Sequence, residues 1–433
     1  MGTTRRNFLK AATAAGAVMS GPAILGAQTS GKTYRTALVG SGWWGMNILR
    51  VAVESGQCRV VAMCDVDQNQ LTPAVADIRK RTGDAPHPYK DYRELLDKEK
   101  PEIVIVATPD HWHPLAMIAA VKAGAHVYVE KPVGHTVYEG RAMVKAARDA
   151  NRVVQVGTHR RVSPHNVSAM EFLKAGKLGK IGMVRAFVHY GGGPGQPEPD
   201  SDPPKGLDWD FWCGPAPLRP FNRRMHPKGF RGFLDYANGT LGDWGIHWMD
   251  QILWWTEEKY PRTIASTGGR HIKQDNTDAP DTQVVQFTFE SFTAEWEHRQ
   301  YGANNAEKHN IGCYFYGTEG TLHLGWQDGW TFYPSGRGRD PVHVDPQLHK
   351  PDDQNIPELW ADFLKCIQTG ARPACDIEIG HRSTNMSLLG MLSLKLGRSI
   401  QWDGQKETIL GDPEACKLLR RQYRAPWTYP EIA

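Results

Sequence analysis

Three glycines and a later acidic residue form the first pattern in this chain whose residue types and spacing could do chemistry. The segment Gly40-Ser41-Gly42-Trp43-Trp44-Gly45 follows a short apolar run and precedes a helical pattern. In that setting the first glycine allows a tight turn, the second lets the backbone approach a pyrophosphate, and the third permits close packing of helix on strand. Asp65 follows about twenty residues later, where a carboxylate would hydrogen-bond a ribose 2′-hydroxyl and repel a 2′-phosphate. The pattern predicts that the chain binds NAD, with NADP disfavoured.

Two polar turns follow later apolar runs. They read Thr108-Pro109-Asp110-His111-Trp112-His113 and Glu130-Lys131-Pro132. The proline after Lys131 biases the backbone of that lysine towards an extended conformation, which would aim its ammonium group beyond the strand. His111 and His113 taken alone could bind a metal, but no set of cysteine or carboxylate partners accompanies them, and we predict no metal site.

A third pattern places a carboxylate and an imidazole on one predicted helix. In "GTLGDWGIHWMD", Asp243 and His247 are four residues apart, and Asp250 follows three residues later. Residues at this spacing lie on one helical face. A carboxylate beside an imidazole raises its basicity and fixes its orientation, which suits a general base near neutral pH. The alternative is a helix-capping Asp243 with a packed His247; the predicted position of Lys131 in the same crevice favours the catalytic interpretation.

The elements that must position these patterns alternate along the first third of the chain. The predicted strands are Tyr34–Val39, Arg59–Cys64, Ile103–Ala107, His126–Val129 and Val153–Val156, and the predicted helices are Trp44–Ser55, Pro73–Thr82, Tyr92–Leu96, His113–Ala123 and Tyr138–Ala150. Such alternation predicts an α/β domain with a doubly wound parallel sheet. Ligands bind beyond the carboxyl ends of such strands. We therefore expect the glycine turn, Asp65 and the two polar turns to meet at one edge of the sheet.

The pattern changes after His159. A loop rich in Pro, Gly and acidic residues, Gly191–Gly206, precedes further strands joined by short turns, as in an antiparallel sheet. The predicted strands are Arg262–Gly268, Thr282–Phe289, Phe292–Gln300, Cys313–Gly317 and Gly320–Leu324. We expect the loop to form part of a pocket mouth or to contact a neighbouring subunit, with disorder as the alternative. The predicted divisions are a signal at 1–30, a nucleotide-binding domain at 31–157, an α+β substrate and oligomerisation domain at 158–380, and a C-terminal helix and tail at 381–433.

The N-terminus predicts export. Arg5 and Arg6 precede Phe-Leu-Lys, the apolar run Ala11–Val18 and small residues near Ala23–Ala27. This order resembles a twin-arginine signal, which exports folded proteins and would place this chain in the periplasm or outside the cytoplasm. The 433 residues, 40% of them hydrophobic and 23% charged, are otherwise ordinary for a soluble globular protein. We expect no membrane anchor in the mature form and no nucleic-acid partner, and seven scattered cysteines indicate no disulfide framework.

The segments "ALVGSGWWG", "ATPDHWHPLAMIAAVKAGAHVYVEKP" and "GTLGDWGIHWMD" resemble the Gfo/Idh/MocA family of glucose–fructose oxidoreductase and inositol 2-dehydrogenase. The resemblance implies a Rossmann domain followed by an α/β domain whose open, mostly antiparallel sheet covers the nicotinamide. It implies that Lys131, Asp243 and His247 surround the substrate carbon that exchanges hydride. Beside the glycine turn and Asp65, the cofactor-binding residues expected are Thr108, Pro109, His113, Glu130, Lys131 and Arg161.

The expected substrate is a sugar or polyol, and four tryptophans could stack on it or belong to the core: Trp209, Trp212, Trp244 and Trp248. The leading hypothesis is an oxidoreductase with a tightly held cofactor, in which His247 takes the hydroxyl proton and Lys131 stabilises the alkoxide. The alternative is a redox-neutral, NAD-dependent glycosidase, which needs a further base such as Tyr236, His226 or Tyr190. An open sheet face predicts a homodimer or homotetramer.

Overall fold

The computed structural model describes residues 32–303, 306–350 and 352–431. The predicted export signal at 1–30 lies outside the described residues. Among the helices of the described part, none is long and apolar enough to cross a bilayer.

Six parallel strands form the first sheet, in the order β3-β2-β1-β4-β5-β6. The strands are β1 (Tyr34–Val39), β2 (Cys58–Cys64), β3 (His87–Tyr89), β4 (Ile103–Val106), β5 (His126–Val129) and β6 (Val154–Val156). The helices that follow them are α1 (Trp43–Glu54), α2 (Gln68–Thr82), α3 (Tyr92–Glu99), α4 (His113–Lys122) and α5 (Val137–Asp149). The doubly wound parallel sheet is confirmed. The sequence analysis missed β3, because its three residues, His-Pro-Tyr, contain no apolar run.

The strand order reverses between β1 and β4, which are neighbours in the sheet although β2 and β3 separate them in the chain. A crevice opens at such a reversal, outside the carboxyl ends of the strands. The glycine turn after β1 and the polar turns after β4 and β5 all lie at this edge.

The second sheet has ten strands, in the order β14-β13-β12-β11-β7-β10-β9-β8-β15-β16. They are β7 (Ile181–His189), β8 (Thr263–Gly269), β9 (Thr282–Thr288), β10 (Thr293–Arg299), β11 (Ile311–Gly317), β12 (Gly320–Gly325), β13 (Trp330–Pro334), β14 (Val342–Val344), β15 (Ile400–Asp403) and β16 (Thr408–Ile409). All neighbours are antiparallel except β7 and β10. The predicted mostly antiparallel sheet is therefore confirmed.

The second half of the chain also supplies six helices: α6 (Pro164–Lys174), α7 (Trp209–Cys213), α8 (Ile246–Trp255), α9 (Ile356–Thr369), α10 (Ile377–Leu396) and α11 (Pro413–Lys417). Two of them join the halves. The α9 residues Trp360 and Phe363 share a core cluster with Ile48 and Leu49 of α1. The α10 helix packs on both α8 and α5, so the core of the first sheet continues into the second domain.

The loop Gly191–Gly206 contains no helix or strand. Its last residue, Gly206, accepts a hydrogen bond from the backbone N–H of Gln68 at 2.9 Å, and Leu207 forms an antiparallel bridge with Asp67. The end of the loop is therefore fastened to the start of α2, beside the crevice of the first sheet.

Candidate active site

The glycine turn after β1 has the geometry of a phosphate-binding turn. Gly40 has a φ of +95°, and a Cβ there would lie 2.6 Å from the carbonyl oxygen of Ala107. A Cβ on Gly45 would lie 2.0 Å from the carbonyl oxygen of Gly40, so helix and strand pack closely. A Cβ on Gly42 would meet no atom within 4 Å, because this residue faces the cavity. The turn therefore fits the pyrophosphate of a dinucleotide.

Asp65 directly follows β2 at the same edge of the sheet. Its Oδ2 accepts hydrogen bonds from the backbone N and the hydroxyl of Ser41, at 2.7 and 2.9 Å, and its Oδ1 accepts one from Asp67 N at 3.0 Å. Burial raises the pKa of this carboxyl. Asp65 lines the cavity next to the glycine turn, where a carboxylate suits a ribose with free hydroxyl groups.

A cavity runs along the crevice, between the edge of the first sheet and residues of the segment 211–231. The predicted cofactor-binding residues that line it are Gly40, Gly42, Trp43, Trp44, Gly45, Asp65, Thr108, Pro109, Glu130 and Lys131. The second domain contributes Phe211, Trp212, His226, Pro227, Lys228, Phe230 and Arg231. The cavity is thus closed by both domains.

Two of the predicted cofactor-binding residues lie outside this lining. His113 is buried, and its ring nitrogens lie 2.7 Å from the carbonyl oxygen of Pro132 and 2.9 Å from that of Thr108, so it ties the two polar turns together. Arg161 binds the Asp250 carboxylate through Nε at 2.8 and 3.0 Å. Their contact with a cofactor stays a prediction.

Lys131 and Asp243 meet at one end of the cavity. The Lys131 Nζ donates to Asp243 Oδ1 at 2.6 Å and to the Asp243 carbonyl oxygen at 2.8 Å, and the Nε of Arg231 donates to the same Oδ1 at 3.0 Å. Burial opposes ionisation, but the two cations hold the pKa of Asp243 well below its usual range. The structure therefore brings a lysine from the first domain onto a fixed carboxylate of the second.

His247 lies beside this pair, but its imidazole is less basic than the sequence predicted. Burial, together with Lys131 and Arg160, lowers the pKa of its imidazole well below the usual value. Asp243 does not raise it, since the Asp243 carboxylate is bound by Lys131 and Arg231. The chain forms a π-helical turn at Leu241–Gly245. The Nδ1 of His247 is buried and has no partner among the described residues.

Three residues of the site were not assigned a role from the sequence. Asp110 lines the cavity, and burial raises the pKa of its carboxyl to about 7. Arg231 sits on a short 3-10 turn, Gly229–Gly232, which has no recognisable pattern. Trp326 packs against His247, with ring centroids 5.0 Å apart. Of these, only Asp110 stood in a motif, directly after Thr108-Pro109.

The candidate bases for a glycosidase occupy different places. The Tyr236 hydroxyl donates to the Pro217 carbonyl oxygen at 2.9 Å, away from the cavity lining. His226 lines the cavity near Asp65, with its Nε2 2.9 Å from Asp67 Oδ2. Tyr190 lies outside the cavity lining and packs against Trp244, with ring centroids 5.7 Å apart. Burial and the charge of Asp243 raise the pKa of its phenol.

The tryptophans named for sugar stacking are mostly internal. Trp209 and Trp212 stack on each other at 4.5 Å, and Trp248 belongs to the main core of the second domain. Trp244 is partly buried and packs against Trp326 with ring centroids 4.9 Å apart.

A parallel sheet with a glycine turn, closed by a second domain that fixes a lysine over the cavity, defines a two-domain dinucleotide-binding protein. Residues 34–158 match the NAD-binding Rossmann fold of the Gfo/Idh/MocA oxidoreductase family, and residues 192–429 match the C-terminal alpha/beta domain of that family. The chain therefore belongs to the Gfo/Idh/MocA family, which confirms the resemblance seen in the sequence.

Individual relatives differ in how much of the chain they cover. A levoglucosan dehydrogenase from Pseudarthrobacter phenanthrenivorans is 33% identical over 160 residues, which span 37% of this chain but only 34% of that protein. A glycosyl hydrolase family 109 protein from Stenotrophomonas maltophilia is 24% identical over 373 residues, which span 82% of this chain and 80% of that protein. A solved structure of levoglucosan dehydrogenase with NADH and levoglucosan shares the fold, with a TM-score of 0.67, 19% identity, and coverage of 85% of this chain and 99% of that one.

Proposed function

We propose that the protein is an NAD-dependent oxidoreductase that acts on a hydroxyl or carbonyl group of a sugar or polyol and holds its cofactor tightly. The observation that carries the proposal is the Lys131–Asp243 pair at the end of a dinucleotide cavity. The name of the levoglucosan dehydrogenase, a family relative, supports a carbohydrate substrate. Asp65 supports NAD over NADP, because its carboxylate would repel a 2′-phosphate.

Four residues of the site have a task in this reaction: Lys131, Asp243, His247 and Asp110. NAD, when bound, supplies the acceptor of the hydride. The Lys131 ammonium, held by Asp243, donates a hydrogen bond to the substrate oxygen on which negative charge develops. His247 stays neutral and positions the substrate hydroxyl. The carboxylate of Asp110 takes up the hydroxyl proton, since its pKa of about 7 suits proton exchange near neutrality.

Retention of the cofactor is supported by the way the second domain closes the cavity. Gly206 and Leu207 bind the start of α2, the Lys90 ammonium pairs with Asp208, and the His226 Nε2 lies 2.9 Å from Asp67 Oδ2. These contacts fasten the segment 206–231 across the crevice. A second substrate carbonyl would then be reduced in the same cavity to complete the cycle.

Export of the folded protein is part of the proposal. The arginine pair and apolar run of residues 1–30 support the twin-arginine pathway and a periplasmic or other extracytoplasmic location. A homodimer or homotetramer formed through the second sheet would cover its open face. Replacing Arg5 and Arg6 together by lysine should leave the protein in the cytoplasm, and unaltered export would contradict the pathway.

The test combines cofactor content with one substitution. Protein purified without added nucleotide should release near-stoichiometric NAD(H) on denaturation, identified by mass spectrometry. Lys131→Met should lower turnover of sugars by at least about 100-fold, because it removes a preorganised donor to the developing charge. It should leave the NAD content unchanged. Lys98→Met, an exposed lysine paired with Glu94, is the matched control. Full turnover in Lys131→Met would refute the assignment.

A second candidate function is a redox-neutral glycosidase, favoured by one observation. The family 109 glycosyl hydrolase matches 82% of this chain, which includes most of both domains. In that cycle we propose Tyr190, whose ring packs against Trp244, as the base that removes the proton next to a transient ketone. Release of the aglycone from an aryl glycoside without any added acceptor would identify the glycosidase, whereas a simple oxidoreductase releases none.

A further inference from the structure

A group of buried polar side chains beside His247 has more donors than partners. Arg160 is 2% exposed, and its Nε and Nη2 atoms have no hydrogen-bond partner among the described residues. Both ring nitrogens of His159 and the Nδ1 of His247 also have no hydrogen-bond partner among the described residues. Because buried polar atoms in native proteins are nearly all hydrogen-bonded, these atoms need a partner that the described residues do not supply.

The third nitrogen of the guanidinium also lacks an acceptor. The Nη1 of Arg160 lies 3.4 Å from His165 Nε2, while the backbone N–H of Gln347 donates to His165 Nδ1 at 3.2 Å. Burial and the charge of Arg160 lower the pKa of His165 to about 4, so the ring is neutral. A neutral imidazole that accepts at Nδ1 carries its proton on Nε2. Two donors therefore face each other, and Arg160 gains nothing there.

One carboxylate acts on Arg160 electrostatically but is already bound. The charge of Asp353 favours the cationic form of Arg160. Its two oxygens, however, accept from Gln327 Nε2 at 2.7 Å and from the Lys350 ammonium. Burial lowers the pKa of Arg160 to about 9, which still leaves a cation at neutral pH. A charge buried in this way is costly unless an anion pairs with it.

We propose that Arg160 binds the carboxylate of an acidic sugar or another polyhydroxy acid, which is the substrate class of the proposed oxidoreductase. The unpartnered Nε and Nη2 form one edge of the guanidinium, and two parallel N–H groups on one edge match the two oxygens of a carboxylate. The Trp326 ring, 3.7 Å from the guanidinium carbon, fixes that edge in place.

The position of this edge links it to the reactive centre. The Trp326 ring that holds Arg160 also lies 5.0 Å from the ring of His247, and His159 lies 5.6 Å from His247. A molecule with its carboxylate on Arg160 would therefore lie beside the rings of His159 and His247. The inference rests on the proposed function for the reaction, but the anion site itself does not depend on turnover.

The test measures binding by calorimetry to the full-length, NADH-loaded protein. The probes are matched pairs, D-glucuronate with D-glucose and D-galacturonate with D-galactose, and acetate and sulfate serve as free anions. We expect at least one acid to bind about tenfold more tightly than its neutral partner, because a hydrogen-bonded charge pair contributes that much. Arg160→Gln should abolish the difference, and Arg160→Lys should keep part of it. Arg223→Gln, which removes an exposed guanidinium, should behave like the wild type.

Three results would overturn the assignment: equal affinity within every pair, an acid preference that survives Arg160→Gln, and acetate or sulfate binding as tightly as the uronates. Hydride transfer is followed separately by absorbance of the reduced cofactor. An acid preference lost in Arg160→Gln, in a protein that never transfers hydride, would refute the proposed function and leave the anion site standing.

Discussion

Neighbouring titratable groups in the candidate site are driven in opposite directions by their surroundings. Asp243 stays ionised because Lys131 and Arg231 bind it despite its burial. Asp110 lines the same cavity without such a bond, and burial raises its pKa to about 7. His247 is kept neutral by burial and by nearby cations. The environment of each residue, more than its type, therefore decides which one holds a proton.

The carboxyl of Asp110 should make stability fall as pH rises. Its pKa is raised from 3.8 to about 7 in the folded protein, so its neutral form stabilises the fold below the unfolded pKa, and this contribution is lost as pH rises through about 7. Relative to Asp110→Asn, the wild type should therefore lose about 2 to 3 kcal/mol of unfolding free energy between about pH 5 and about pH 8. Urea unfolding at both pH values measures the difference.

The control for this prediction is Asp149→Asn, which alters an exposed carboxylate paired with Lys145 on α5. Its difference from the wild type should stay nearly constant over the same pH range. If Asp110→Asn also showed a constant difference, Asp110 would not titrate near neutrality, and the proton-accepting role proposed for it would fall.

Residues inside contiguous motifs were predictable from the sequence, whereas residues brought in by irregular backbone were not. The glycine turn and Lys131 follow strands directly, so their place at the sheet edge follows from topology. Arg231 and Trp326 lie in short turns of the second domain, and no local periodicity places them. Arg161 pairs with Asp250, a partner far along the chain that no motif announced, and its contact with the cofactor stays a prediction.

At the scale of elements, the start of one helix differs from the expectation. The spacing of Asp243 and His247 predicts one face of an α-helix, but the chain forms a π turn before α8 begins at Ile246. The Asp243 carboxylate binds Lys131, whereas His247 lies among aromatic rings. Sequence periodicity carries no signal for a π turn, since its residues are those of an ordinary helix.

The segment 206–231 should control how fast the cofactor leaves. His226→Ala removes the bond to Asp67 that holds this segment near the ribose end of the cavity. We expect NAD(H) to dissociate roughly tenfold faster, because a partly buried hydrogen bond to a carboxylate is lost. The dissociation rate is measured by adding an excess of a second dehydrogenase that captures the released NAD(H), and by following the fluorescence of the reduced cofactor.

The matched control is His343→Ala, which breaks an exposed histidine–carboxylate pair with Asp345 at the edge of the second sheet. This variant should release cofactor at the wild-type rate. Equal rates in His226→Ala and the wild type would mean that the segment does not limit dissociation, and the structural support for a tightly held cofactor would be lost.

At the scale of the whole molecule, the two sheets are joined by helices and by buried charge. The strand patterns of the two regions predicted both sheets, but they could not predict that α9 completes the core around α1, because such packing joins residues far apart in sequence. One buried polar link is between Arg161, which follows β6, and Asp250 on α8. Asp250 Oδ1 also accepts from the Ser383 hydroxyl of α10 at 2.7 Å. Three elements therefore meet at one carboxylate behind the cavity.

Replacing one partner of this ion pair should destabilise the protein more than replacing both partners. The Arg161 and Asp250 side chains are 9% and 1% exposed, so Arg161→Met leaves an unpaired buried charge and should cost about 3 to 5 kcal/mol. Arg161→Met combined with Asp250→Leu removes both charges, and should recover much of that loss. Urea unfolding of the wild type, the two single variants and the double variant completes the cycle. Additive losses would show that the pair is not coupled, and the joining of the two domains would then rest on the apolar contacts of α9 and α10 and on other ion pairs, such as Lys131–Asp243 and Arg141–Glu378.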